Sequence, residues 1–192
     1  MPKVTVLLST YNGEKYLDYY FFEGNLKNIV KSMRYLTGKA SMLPQWSFGY
    51  IQSQERYESA DELLDTALKF KELEFPISAI VQDWLSWPDG LWGQKSFDPK
   101  RYPDPKALTD KLHDMNIRMV LSVWPNMSED GSNHKEFEEA NLFLPNSNLY
   151  NPFVPEGREL YWKQANEGIF QYGVDGWWGD NCEPVAPEWE RK

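Results

Sequence analysis

The sequence predicts an α/β protein, a truncated (βα)₈ barrel of about four βα units with parallel strands. Three observations carry that expectation. Largely apolar runs recur at Ile77–Val81, Ile117–Val123 and Val174–Trp178, as strands buried on both faces require. Segments with apolar residues at helical spacing separate them, and alternating strands and helices imply a parallel sheet. Each run ends in a polar or aromatic residue followed by a loop, which suits the catalytic face of a barrel. A doubly wound sheet is the competing architecture, but no Gly-x-Gly-x-x-Gly follows any strand. A whole barrel takes about 250 residues. The chain has 192, so only its first half is expected.

The elements follow in order. Val4 to Leu8 reads as a buried strand with a turn at Asn12-Gly13. Asp18 to Phe22 is aromatic and strand-like. Asn25 to Leu36 places Leu26, Ile29, Val30, Met33 and Leu36 at helical spacing, and Gly38 suits a C-cap. Trp46 to Gln52 reads as the first barrel strand. Ser59, with Glu62 three residues on, forms a capping box for a helix with Leu63, Leu64, Ala67, Leu68 and Phe70 on its apolar side. After the strand at Ile77 a long aromatic loop passes Trp87, Trp92 and Phe97. Asp104-Pro105 then opens a second barrel helix, with proline at its first position. The strand from Ile117 is followed by another long loop to about Pro155, a helix over Glu156 to Tyr172, and the fourth strand.

Composition narrows the function. A net charge of −9 argues against nucleic acid, which needs basic patches. No apolar run approaches a membrane span or a signal-peptide core, so no membrane partner and a cytoplasmic location are expected. The single Cys182 excludes an internal disulfide framework and reads as a packing residue. His113 and His134 form no metal signature and read as surface residues, so no metal or cofactor is expected. Aromatic residues make up 16% of the chain, with nine Trp; they suit stacking on sugar rings as well as ordinary cores.

The stretch Val174-Asp175-Gly176-Trp177-Trp178-Gly179-Asp180-Asn181-Cys182-Glu183 ends an apolar run in a carboxylate. A carboxylate at the carboxyl end of a barrel strand is a common catalytic position. The Trp-x-Asp-x-x-Glu pattern of Trp178, Asp180 and Glu183 resembles the nucleophile segment of glycoside hydrolase family 31, the α-glucosidases and α-xylosidases. Supporting stretches in the same order are Phe48 to Ser53, Ile80-Val81-Gln82-Asp83-Trp84, Phe97 to Pro105 and Ser122-Val123-Trp124-Pro125. The resemblance spans roughly residues 18 to 184.

By that resemblance Asp180 is the nucleophile of a retaining mechanism, in which two carboxyl groups sit roughly 5 Å apart across the scissile bond. Asp83 would bind sugar hydroxyls, with Trp84, Trp124 and Trp178 in the same subsite and Glu183 in support. The family's acid/base aspartate lies downstream of this segment. The expected function is therefore the catalytic-domain part of an α-glycosidase acting on an α-linked oligosaccharide or glycoside, inactive as this chain alone. Open barrel edges are expected to invite self-association. Asn181-Cys182 differs from the Met-Asn of many family glucosidases, and the paired Trp177-Trp178 is closer to the α-xylosidase branch.

Residues 1–17, with Ser-Thr-Tyr-Asn-Gly after a strand, resemble instead the opening of family 2 glycosyltransferases. The expected layout is that segment, a linking strand and helix over 18–44, and the half-barrel over 45–192. As a graft, the first strand is expected to lack an evolved partner. The alternatives are a sugar-nucleotide glycosyltransferase fragment, marked by UDP and Mn²⁺ binding, and a non-catalytic carbohydrate-binding fragment.

Overall fold

The computed structural model describes residues 20–145 and 147–181, with the backbone of 4–6. Two compact units divide between Leu43 and Pro44. In the first, β1 (Val4–Val6) and β2 (Tyr20–Phe22) pair antiparallel, Val4 opposite Phe22. The first strand is therefore not without a partner; its mate is the aromatic segment that follows it. The rest of residues 1–17 lies outside the described residues. Helix α1 (Leu26–Thr37) begins where Asn25 Oδ1 accepts the Asn28 N–H at 3.0 Å. It ends at Gly38, whose φ of 84° is open to glycine at little cost. Of its five periodic apolar residues, Ile29 is buried while Leu26, Val30, Met33 and Leu36 are exposed.

The second unit is a parallel sheet of four strands among the described residues, in the order β3 (Ile51–Gln52), β4 (Ala79–Gln82), β5 (Arg118–Val123) and β6 (Gly176–Gly179). Between them run α2 (Ala60–Glu72), α3 (Pro105–Asp114), α4 (Ser132–Glu139) and α5 (Pro155–Gly168). Spatial order equals sequence order. With right-handed crossovers, each step then moves the same way round and the helices collect on one face. A doubly wound sheet reverses direction at a switch point; this sheet does not, and it is the winding of a barrel.

The two sheet faces differ accordingly. Ile80, Met119 and Leu121 point toward the helices and join Leu63 and Ala67 of α2, Leu108 and Leu112 of α3, and Ile169 in one core. The alternate positions Ala79, Val81 and Val120 form a second, small cluster with Trp46 packed on it. At Gly176 an added Cβ would meet Trp46 and Val120 at 3.4 Å each, so β6 also lies close on this inner face.

Local signals explain most of the boundaries. Ser59 Oγ accepts the Glu62 N–H at 3.1 Å, and Glu62 Oε2 reaches back to the Glu58 N–H at 2.6 Å. The return bond of this capping box thus falls one residue earlier than usual. Asp104 Oδ1 caps α3 through the Ala107 N–H at 2.9 Å. Two sequence expectations are corrected. Trp46 to Gln52 is not one strand: Gln45–Phe48 is a 3₁₀ turn after Pro44, and β3 holds two residues. The stretch before Pro155 is not all loop, since α4 lies within it.

The histidines are also not plain surface groups. His134 is buried, 4.5 Å from the Phe143 ring, with both ring nitrogens unpartnered. His113 Nε2 hydrogen-bonds Asp175 Oδ2 at 2.7 Å. Asp175 also accepts the Met119 N–H at 2.9 Å and faces Arg118 at 3.5 Å, which ties β6 to β5 and α3 at the amino end of the sheet. Asp175→Ala leaves the Met119 N–H without its acceptor and is expected to cost roughly 2–3 kcal/mol. Asp175→Asn, which keeps an acceptor oxygen, is expected to cost less. Urea unfolding of both variants checks this; equal midpoints for Asp175→Ala and the parent would refute it.

Candidate active site

Each long strand delivers one functional side chain just past its carboxyl end. Asp83 follows β4, Trp124 follows β5 and Asp180 follows β6. All the strands are parallel, so these three lie at the same end of the sheet. Alternation settles the face. Val81 and Val120 are inner residues, hence so are Asp83 and Ser122, two positions on. Ser122 stands opposite Trp178 in the ladder, and its Oγ accepts the Trp124 Nε1–H at 2.9 Å. Trp177 turns the other way, onto Trp162 and Phe170. Trp178 is thereby left on the inner face, 45% exposed.

Asp83 and Asp180 act on one another. Burial pushes the Asp83 carboxyl above its usual range, and the charge of Asp180 pushes it further, with a smaller push from Glu55. The Trp84 N–H and the Ser122 hydroxyl oppose this. Asp83 Oδ1 is buried without a hydrogen-bond partner. Asp180 is held differently. Its N–H donates to the Val123 carbonyl at 3.1 Å, extending the ladder one residue beyond the strand. Its Oδ1 accepts the Asn181 N–H at 2.8 Å. Asn181, at φ 49°, then turns the chain and donates from Nδ2 to Asn126 Oδ1 at 3.2 Å.

Aromatic rings wall one side. Trp92 meets Trp124 edge-on at 4.4 Å, and Trp84 and Trp87 pack on Trp92 at 5.7 and 5.8 Å. The Arg56 guanidinium lies 5.1 Å over Trp84. Leu85 takes φ 63°, a left-handed conformation that is strained for such a residue, and the loop folds back so that the Asp98 N–H reaches the Ser86 carbonyl at 2.7 Å. The Trp124 carbonyl accepts from both Lys95 Nζ and Tyr161 OH, at 3.0 Å each.

The structure thus gathers Asp83, Trp124, Trp178 and Asp180 on one face. Trp84 joins through its backbone and the Trp92 ring. Ser122, Trp92 and Lys95 were not among the site residues expected from sequence; Ser122 could have been, since it stands two residues before Trp124 on the same side. Cys182 and Glu183 lie outside the described residues. Among the described residues no group of three His, Cys, Asp or Glu side chains is placed to hold a metal ion. What the face offers is a carboxylate, Asp180, on the same side of the sheet as Trp124 and Trp178, and a second carboxyl group, Asp83, with an oxygen that has no hydrogen-bond partner among the described residues.

Comparison with known proteins matches residues 40–192 to the model of the glycosyl hydrolases family 31 TIM-barrel domain. An alpha-xylosidase of Saccharolobus solfataricus is 34% identical over 175 residues, which is 91% of this chain and 24% of that protein. An alpha-glucosidase of the same organism is 26% identical over 187 residues, 90% of this chain and 27% of that one. The crystal structure of a GH31 alpha-xylosidase from Xanthomonas citri superposes with a TM-score of 0.76 at 33% identity, covering 85% of this chain and 20% of that one. A GH31 alpha-xylosidase from a soil metagenome, complexed with xylose, gives 0.71 at 34% identity over 77% of this chain and 24% of that one. The chain spans about a quarter of the length of these relatives.

The raised pKa of Asp83 has a definite consequence for stability. A carboxyl whose folded pKa lies above its unfolded value contributes fully below the unfolded pKa and loses that contribution as pH rises through the folded pKa. At neutral pH the ionised Asp83 therefore costs stability. Asp83→Asn is expected to melt above the parent at about pH 7, with the two melting curves converging near about pH 3. Calorimetry at both pH values checks this, and a lower melting temperature for the variant at neutral pH would contradict it.

Proposed function

The chain belongs to glycoside hydrolase family 31, and from that premise we propose that it supplies the nucleophile and sugar-binding half of a retaining α-glycosidase site, with an α-xyloside as the preferred substrate. The observation that supports this most is the charge of Asp180 acting on Asp83 at the carboxyl ends of β6 and β4, the two parallel strands that flank β5. In this reading the Asp180 carboxylate attacks the anomeric carbon and forms the glycosyl ester, while the leaving oxygen takes a proton from a general acid. Asp83 offers its open oxygen to sugar hydroxyls, since a carboxyl oxygen accepts readily and the protonated form also donates. Trp124 and Trp178 present apolar ring faces to the axial hydrogens of the sugar. The Asn181 N–H on Asp180 Oδ1 fixes the direction of the nucleophile. The preference for xylose is drawn from the three α-xylosidases above, at 33–34% identity; identity alone does not separate the two activities, since an α-xylosidase of Aspergillus niger is 25% identical and an α-glucosidase of Bacillus thermoamyloliquefaciens 29%.

The role of Asp83 toward the sugar leaves the leaving group without an acid among the described strand ends, and general acid catalysis is worth about 10²–10⁴-fold. The 192-residue polypeptide alone is therefore proposed to bind sugar but not to turn over alkyl glycosides. β3 and β6 are the outer strands of the sheet among the described residues, and their unpaired edges favour self-association.

Two measurements on the purified chain test the reading. Xylose is expected to change the tryptophan fluorescence of the parent and to lose that effect in Trp124→Ala. Aryl α-xyloside and aryl α-glucoside are expected to be hydrolysed no faster than by Asp180→Ala. Turnover that vanishes in Asp180→Ala would keep Asp180 as nucleophile and overturn the inactivity of the isolated chain. Absence of both binding and turnover would overturn the glycosidase reading of this half-site.

A further inference from the structure

Lys95 lies in the connection between β4 and α3 and is 3% exposed. Its Nζ donates to the Trp124 carbonyl at 3.0 Å and sits 4.3 Å from the centroid of the Tyr161 ring. The Tyr161 hydroxyl donates to the same carbonyl. The Lys95 backbone is gripped as well. Its N–H donates to Asn133 Oδ1 of α4 at 2.6 Å, and an added Cβ at Gly168 of α5 would meet its carbonyl at 1.7 Å. That contact leaves room for no side chain at residue 168.

A buried ammonium is costly unless it is compensated. Here burial lowers the Lys95 pKa to about 7. Among the described residues it forms no salt bridge. The groups facing the ammonium are the Tyr161 ring from α5 and the Trp124 carbonyl at the end of β5, while the neutral Asn133 amide of α4 holds the Lys95 backbone N–H. Glu136 of α4 and Lys163 of α5 are engaged with one another. The ring face and the carbonyl both favour the charged form. An apolar side chain of similar length would fill the same space without a desolvation penalty. What only the ammonium does is hold Trp124.

Trp124 is clamped at both ends. Its carbonyl is held by Lys95 and Tyr161, and its indole by the Ser122 hydroxyl at 2.9 Å and the Trp92 ring at 4.4 Å. We propose that Lys95 is a positioning residue for the sugar site: its buried ammonium fixes the Trp124 backbone and so sets the indole on the inner face of the sheet. The functional meaning of this role rests on the reading of Trp124 as a sugar-facing ring. Lys95 does not touch substrate; it acts through Trp124.

The mechanism couples two observables in the intact chain. The Lys95 Cε resonance reports its protonation, and the Trp124 indole N–H cross-peak, identified by its loss in Trp124→Phe, reports the ring. In the parent both are expected to titrate together with a midpoint near 7. In Lys95→Met the indole cross-peak is expected to be displaced and to lose its pH response, and xylose affinity to fall about tenfold. A purely structural lysine would not couple its protonation to the indole. An indole that does not follow the Lys95 titration in the parent overturns the proposal. An unchanged indole in a folded Lys95→Met protein does the same. Should Lys95→Met fail to fold, the parent titration decides alone. If the parent binds no xylose, the substrate reading fails, while the indole titration still decides the role of Lys95.

Discussion

A parallel strand has to be covered on both faces, and in this sheet the two covers are of different kinds. The sequential winding sends every helix to one side, where Ile80, Met119 and Leu121 find α2 and α3. Among the described residues, the other side has the strands' own residues and Trp46 to close it. Near the amino end those residues are small or branched: Ala79, Val81, Val120 and Gly176. Toward the carboxyl end the same alternation brings Ser122, Trp178, Asp83, Trp124 and Asp180 inward. The site residues therefore inherit their direction from the core. A slip of one residue in β6 would send Asp180 toward the helix layer and bring Trp177, which packs on Trp162 and Phe170, to the inner face.

That dependence explains what was legible in the sequence. β4, β5 and β6 were readable as largely apolar runs, and the chemical residues stand one or two steps beyond each run. The first strand was misread because Trp46 and Phe48 imitate a strand's aromatic content; Pro44 instead starts a 3₁₀ turn, and only Ile51 and Gln52 join the ladder. Helix α4 went unseen because its sequence is nearly all polar. It is anchored by Phe137 and by His134, a residue read as surface-bound from its type. Lys95 is the sharper case. A lysine in a loop reads as solvated, and nothing local signals burial. Its environment comes from distant groups: Gln94 and Asn133 joining its loop to α4, Gly168 admitting α5, and Tyr161 supplying a ring. Periodicity sees strands and helices, but such long-range stitching has no period.

The stitching also bears on rigidity. The connection after β4 carries Trp84, Trp87 and Trp92 and is long, which in isolation would leave it among the less stable parts of a fold. Here Arg101 secures it to the Trp87 carbonyl and to Asp98 at 3.1 Å, and Gln94 and Lys95 secure it to α4 and β5. Fully buried Trp87 anchors the ring cluster from below. An aromatic wall built on a loop thus gains the fixity of one built on strands, which a binding face requires.

Two aspartates on this sheet show how one side-chain type takes opposite parts. Asp175, before β6, has its oxygens occupied by the Met119 N–H and His113, with Arg118 close by. Asp83, after β4, keeps a buried oxygen with no donor and lies under the charge of a second carboxylate. The first arrangement lowers the energy of the fold and leaves nothing to bind. The second raises it at neutral pH and leaves one buried Asp83 oxygen without a hydrogen bond among the described residues. The acceptors of Asp175 at the amino end are met within the chain, whereas Asp83 at the carboxyl end keeps one that is not.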